Sequence, residues 1–234
     1  MFTSDERERY QGHFNVADFG EEGQMKLKQS KVLIIGAGSL GNSVLQYLSA
    51  AGIGMIGIAD KENISLSYLY GEILFSEDEI GKSKAEVAIS RARKLNKNCL
   101  YNCYPFELQE RMASEMLPLY DAIVVTTKNA LMLKLVDSIA NKKQVPLIFG
   151  SVCGFGGEVS VFNFKDSHAL HHYYPDGVSA NSCKNSYMGF AAGVVGSLMA
   201  GEVVKVLTGR GVTLEGKKLM FNIHDLSLII EELK

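Results

Sequence analysis

Gly36, Gly38 and Gly41 stand at G-x-G-x-x-G spacing directly after the apolar run at residues 32–35. Glycines so placed permit a tight turn, a close approach of backbone to phosphate, and close packing of the next helix on the strand. Ser39 is positioned to cap that helix, whose first free N–H groups and positive dipole end suit an anion. Asp60 closes a second apolar run at 56–59, where a carboxylate meets a ribose hydroxyl, and Glu62 follows in the same pocket. The chemistry implied is nucleotide binding by Gly36, Gly38, Ser39, Gly41, Asp60 and Glu62. A glycine turn that serves only strand–helix packing is the alternative. Lys84 begins a helical pattern at 84–95, where a cation opposes the helix dipole unless it faces an anion or is simply solvated.

These residues need strands, turns and helices in alternation to bring them together. Buried-strand patterns recur at 32–35, 56–59, 100–106, 122–126 and 146–149, with helical spacing between them at 84–95, 110–117 and 130–140. Residues 158–164 alternate as an antiparallel or half-exposed strand does, and 217–222 and 226–233 close the chain. Together they predict an α/β, doubly wound, mostly parallel sheet with antiparallel C-terminal strands. One domain over 1–234 is expected, with a helical segment at 1–30 and a polar crossover loop at 165–187. The turn-rich insertion at 61–82 is unusually long for such a fold, and long ordered loops tend to be functional. Residues 189–207 form a strongly apolar helix with Gly189, Gly193, Ser197 and Gly201 at four-residue spacing, a smooth face for close backbone approach. Glu202 and Lys205 mark it as a core or interface helix.

The bulk properties exclude several classes. At 234 residues the chain supports a sizeable core, and 47% hydrophobic with 21% charged residues is ordinary for a globular protein. A net charge of -2 leaves no electrostatic footprint for nucleic acid. No apolar run reaches membrane-spanning length, and the charged N-terminus does not read as a secretory signal. Cys99, Cys103, Cys153 and Cys183 do not make a disulfide framework, which fits a reducing cytoplasm.

His168, His171, His172 and Cys183 are possible metal donors, but without a C-x-x-C pair they read as loop residues and no metal site is expected. Cys99 and Cys103 share a strand face and read as core. Cys153, in a glycine-rich turn, and Cys183, in a polar loop, are either reactive thiols or small, partly buried residues.

In order and spacing, the chain resembles the ThiF/MoeB/HesA family of E1-like adenylyltransferases. The likeness rests on Arg9-Tyr10, SKVLIIGAGSLG, YLSAAGIG, SLSYL, IGKSKAE, YDAIVVTTKN, VPLIFG, GEVSVF and GVVGSLMAGEVVKVLTG. The resemblance implies an E1-type Rossmann-like fold and a homodimer or a heterodimer with another E1-like subunit. It also implies ATP-dependent adenylation of a carboxylate, on a small molecule or the C-terminus of a ubiquitin-like sulfur carrier. It assigns Gly36, Gly38 and Gly41 to the phosphates, Asp60 to the ribose and Lys84 to the triphosphate.

Other positions depart from the family pattern. Gly12 replaces an arginine finger. Tyr68, Gly71 and Glu72 replace the Asn, Arg and Gln of S-N-L-x-R-Q. Lys128 replaces the magnesium-binding Asp of T-D-N, where a cation could still neutralise triphosphate. The zinc-binding C-x-x-C pairs are absent, so ATP is expected without zinc, and Cys183 falls near the family's sulfur-accepting cysteine. Two readings follow: adenylation chemistry altered or lost in a rebuilt site, or a non-catalytic E1-like subunit serving an active partner. An NAD-dependent oxidoreductase fits the glycine turn alone.

Overall fold

The apolar run after Lys31 becomes the strand on which the sheet is built. The computed structural model describes residues 1–127, 129–174 and 186–233. Three helices precede that strand: α1 (Ser4–Arg9), α2 (Gln11–Phe14) and α3 (Gly20–Gln29). The first is fixed by a capping box, in which Thr3 and Glu6 exchange side-chain-to-backbone hydrogen bonds of 2.8 and 3.2 Å. Then follow β1 (Lys31–Ile35), α4 (Ser39–Ala51), β2 (Met55–Ala59), α5 (Lys84–Leu95), β3 (Leu100–Tyr104), α6 (Glu110–Met116), β4 (Ala122–Val125) and α7 (Ala130–Lys143). The chain continues through β5 (Leu147–Cys153), β6 (Gly156–Phe162), α8 (Leu170–Tyr173), α9 (Gly189–Thr208), β7 (Lys217–Asn222) and β8 (Ser227–Glu232).

The described strands form one sheet in the order β3-β2-β1-β4-β5-β6-β7-β8. Pairing is parallel from β3 to β5 and antiparallel from β5 to β8. From β1 the chain runs to β2 and β3 on one side, then returns to the other side at β4. A crevice therefore opens at the carboxyl ends of β1 and β4, where a doubly wound sheet receives ligands. Register places Ile35 beside both Ala59 and Val125, so the turns after β1, β2 and β4 meet at one point.

The continuous apolar runs have a direct cause: both faces of the sheet are covered. Val32, Ile34, Ile56 and Ile58 pack under α4, α5 and α9, alongside Leu45, Ala88 and Val195. Leu33, Ile35, Ile123 and Val125 point the other way, towards Ala113 of α6 and Val136 of α7. Cys99 and Cys103 belong to the first of these cores.

Several boundaries differ from the sequence pattern. The third strand stops at Tyr104, short of 106, and the fifth runs past 149 to Cys153 because its ladder with β6 extends from Leu147↔Phe162 to Cys153↔Gly156. The described part of the 165–187 segment contains α8, whose start is held by Asp137 of α7. That buried carboxylate accepts the N–H groups of Leu170 (2.9 Å) and His171 (3.0 Å) and contacts the His171 ring at 2.5 Å.

The α9 helix is long and apolar enough by composition to cross a membrane, yet half of its apolar window is buried in this fold. Its close contacts are not all at the expected four-residue positions. A Cβ at Gly189 would lie 2.2 Å from the Tyr70 carbonyl and one at Gly196 2.5 Å from Ser43, whereas Gly193 and Gly201 face open space.

Candidate functional site

Local geometry at the first turn demands glycine. Gly36 has φ +107° and donates to the Ala59 carbonyl at 2.9 Å. A Cβ at Gly41 would sit 1.9 Å from the Gly36 carbonyl, so α4 can lie this close to β1 only with glycine there. Thr126, just past β4, ties the turn down by donating to the carbonyls of Ile35 (3.1 Å) and Gly36 (3.0 Å).

Ser39 does not cap α4. Gly38 is the cap residue, no side chain caps the helix start, and Ser39 is already in the helix. The Ser39 hydroxyl instead meets the Tyr187 phenol at 2.7 Å. The glycine turn delivers the chain to α4 one residue earlier than the capping pattern implies, which leaves the positive end of the helix facing the crevice.

Asp60 binds the turn from the second strand. One carboxylate oxygen accepts from Ala37 N–H at 2.6 Å and the other from Glu62 N–H at 2.7 Å. Burial pushes its pKa above the usual carboxylate range, against the pull of those two N–H groups and of Lys84.

Lys84 is not solvated, and the anions it faces in this structure are two carboxylates of the chain itself. It is 2% exposed, lies 2.9 Å from Glu62 and 2.7 Å from Glu72, and sits 4.8 Å from the centre of the Tyr68 ring. Burial works to lower its pKa, but the two carboxylates outweigh that and raise it. Glu72 is 3% exposed, and burial raises its pKa despite Lys84. Its second oxygen, Oε2, is buried without a hydrogen-bond partner. The 61–82 insertion thus supplies Glu62, Tyr68 and Glu72, the groups that immobilise the lysine.

The resulting cavity holds about 310 Å³ and is lined by the glycine turn, Asp60, Glu62, Glu72 and Lys84, with Phe106, Leu108 and Met132 on its apolar side. Gly36, Gly38, Ser39, Asp60, Glu62 and Lys84 all border it, while Gly41 acts behind the turn. Lys128 and Cys183 lie outside the described residues. Cys99 and Cys103 are free thiols, whereas Cys153 is disulfide-bonded and so is not the reactive free thiol that its turn allowed.

Sequence reasoning missed Thr126 as the tie on the glycine turn and Tyr187 as the cover on Ser39. The first signal was a threonine ending an apolar run; the second had none, because Tyr187 arrives from a polar stretch without periodicity. Gly71 takes on a structural meaning here. A Cβ there would fall 2.6 Å from Ser39 Oγ and 3.3 Å from the Tyr187 ring.

Among the described residues, no three His, Cys, Asp or Glu side chains are grouped to hold a metal ion. The point where Glu62 and Glu72 converge is taken by the Lys84 ammonium.

Known proteins share this chain's sequence pattern and fold. The chain is 34% identical over 97% of its length to a sulfur carrier protein adenylyltransferase of Thermus thermophilus, covering 87% of that protein. It is 33% identical over 94% of its length to the adenylyltransferase and sulfurtransferase MOCS3 of Drosophila sechellia, covering 49% of it. The fold matches that of E. coli MccB, solved with MccA-N7isoASN, at a TM-score of 0.84 and 21% identity over 96% of this chain and 72% of that one. The ThiF family model matches residues 10–234. A ThiF-type sheet, a glycine turn closed by Asp60 and a family match over nearly the whole length lead to one conclusion: this chain belongs to the ThiF family.

Proposed function

We propose that this chain binds ATP at the carboxyl ends of β1, β2 and β4 and acts as an adenylyltransferase-type protein on a carboxylate. The observation that carries this reading is the convergence of the α4 N-terminus, Asp60 and Lys84 on one cavity. In this reading the whole chain works as one nucleotide-binding unit. Asp60 accepts from the ribose, the N–H groups after Gly36 and Gly38 face the phosphates, and Glu62 and Lys84 flank them. Adenylation here is attack of a carboxylate oxygen on the α-phosphorus, breaking the bond to the β-phosphate and releasing pyrophosphate. Lys84 is placed to stabilise the charge that develops on the leaving group. Lys128 is assigned to the triphosphate from its sequence position alone.

Lys84 occupies the place between Glu62 and Glu72, so those two carboxylates together do not form a cradle for magnesium. The relatives' names support a sulfur carrier protein as substrate, in this reading through its C-terminus, with a small carboxylic acid as the alternative. A second E1-like subunit, identical or not, is the proposed partner, and the cytoplasm the proposed location.

Pyrophosphate exchange into ATP over a panel of carboxylates and Gly-Gly-tailed carriers tests this. Exchange that vanishes in Lys84→Ala supports catalysis. ATP binding without exchange on any acceptor supports the second reading, a non-catalytic subunit. One observation favours that second reading: the Lys84 charge is already neutralised by Glu62 and Glu72.

A further inference from the structure

We propose that Tyr187 is a positioning residue for the nucleotide's phosphates: its phenol aims the Ser39 hydroxyl so that Ser39 hydrogen-bonds them at the start of α4. The inference rests on the nucleotide reading above and deepens it by naming a side-chain donor and the residue that acts through it.

Four observations carry it. Ser39 is the first residue of α4, directly after the cap residue Gly38, and both Ser39 and Tyr187 line the cavity. The Ser39 hydroxyl meets the Tyr187 phenol at 2.7 Å, and Ser39 is buried. Tyr187 is itself fixed in place. Its backbone bridges to Gly154 just past β5, where Gly154 donates to the Ser186 carbonyl (2.8 Å) and accepts from the Met188 N–H (2.9 Å). Its ring lies 5.3 Å from that of Tyr70, whose pKa is raised by burial and by hydrogen bonding to Tyr187. Gly71 leaves the pair its room, since a Cβ there would fall 2.6 Å from Ser39 Oγ and 3.3 Å from the Tyr187 ring.

Hydroxyl chemistry then sets the direction of the bond. A hydroxyl donates one proton and accepts through two lone pairs. When Tyr187 donates to Ser39, the Ser39 proton is left to turn into the cavity. When Ser39 donates, that proton is used on the phenol. A phosphate oxygen accepts, so an arriving phosphate selects the order Tyr187 to Ser39 to phosphate, and the first bond polarises and strengthens the second. The pair is neutral and adds a directed donor without changing the charge of the cavity. Where the family pattern has an arginine, at position 71, the Ser39–Tyr187 pair takes the space that a side chain would enter.

The test measures affinities for ATP and adenosine by calorimetry, with magnesium present throughout, for the wild-type chain, Ser39→Ala, Tyr187→Phe and the double variant. Adenosine reports the same pocket without phosphates, and phenylalanine keeps the ring against Tyr70. Ser39→Ala should weaken ATP by about tenfold and Tyr187→Phe by about threefold to fivefold, with adenosine held within about twofold in both. On the Ser39→Ala background, Tyr187→Phe should cost ATP nothing further, because its effect passes through the missing hydroxyl.

A structural role for Tyr187 lowers ATP and adenosine affinity together, and that result overturns the proposal. So does a Tyr187→Phe loss that persists in full on the Ser39→Ala background, or ATP affinity unmoved by Ser39→Ala. These outcomes leave the nucleotide reading standing. A wild-type chain that binds neither ATP nor adenosine overturns that reading as well.

Discussion

The Asp60 carboxylate accepts a hydrogen bond from the Ala37 N–H at 2.6 Å. The acid following β2 and the glycine turn ending β1 are therefore one mechanical unit, and Asp60 shapes the turn. Asp60→Ala leaves the N–H of the fully buried Ala37 without its acceptor, a loss of about 1–3 kcal/mol. Chemical denaturation should show that loss, and nucleotide titration should show binding weakened by about tenfold or more.

Lys84 and Glu72 form a buried pair, and removing one partner strands the other. Lys84→Met should destabilise the chain by about 3–5 kcal/mol. Adding Glu72→Gln should recover a substantial part of that, because the uncompensated charge is gone. Denaturation midpoints of the two single variants and the double variant measure this directly. Additive losses would refute the coupling.

The second and third glycines of the turn separate folding from binding. Gly41→Ala forces a Cβ into the Gly36 carbonyl, and rigid backbone on both sides gives no relief, so a loss of about 1–3 kcal/mol and a lowered Tm are expected. At Gly38 an added Cβ meets Glu72 Oε1 at 3.6 Å, an ordinary contact. Gly38→Ala should keep Tm within a few degrees while weakening nucleotide binding, because the methyl group would lie where the proposed nucleotide's phosphates approach the backbone.

Acid stability should report the N-terminal helices. Burial raises the Glu6 pKa, but the hydrogen bonds from Lys28 and Thr3 outweigh it and hold the carboxyl below the usual range. A depressed folded value means that the stabilisation is fully present above the unfolded value, about 4.3, and is lost as pH falls through the folded one. Glu6→Gln should remove about 1 kcal/mol at pH 7 and flatten the stability–pH curve below about pH 4.

The sheet was legible from the chain because burial on both faces of β1, β2 and β4 writes itself as unbroken apolar runs. The glycine turn and Asp60 were legible for a similar reason: strand, turn and helix in immediate succession leave little freedom, so sequence spacing and spatial position coincide. Strand ends were less so, since β5 is bounded by its backbone ladder with β6, which no side-chain pattern records.

What sequence alone could not determine is who stands beside Lys84. Its position at the start of α5 follows from local pattern, but its partners Glu62 and Glu72 arrive from a turn-rich insertion whose path depends on packing against α4. Ser39 shows the same limit, because its expected capping role goes to Gly38 and its hydroxyl to Tyr187, far along the chain. Residue types and short-range spacing determined that this protein carries a nucleotide-type turn. Long-range packing, which joins residues with no fixed sequence separation, decided that its buried lysine is already neutralised.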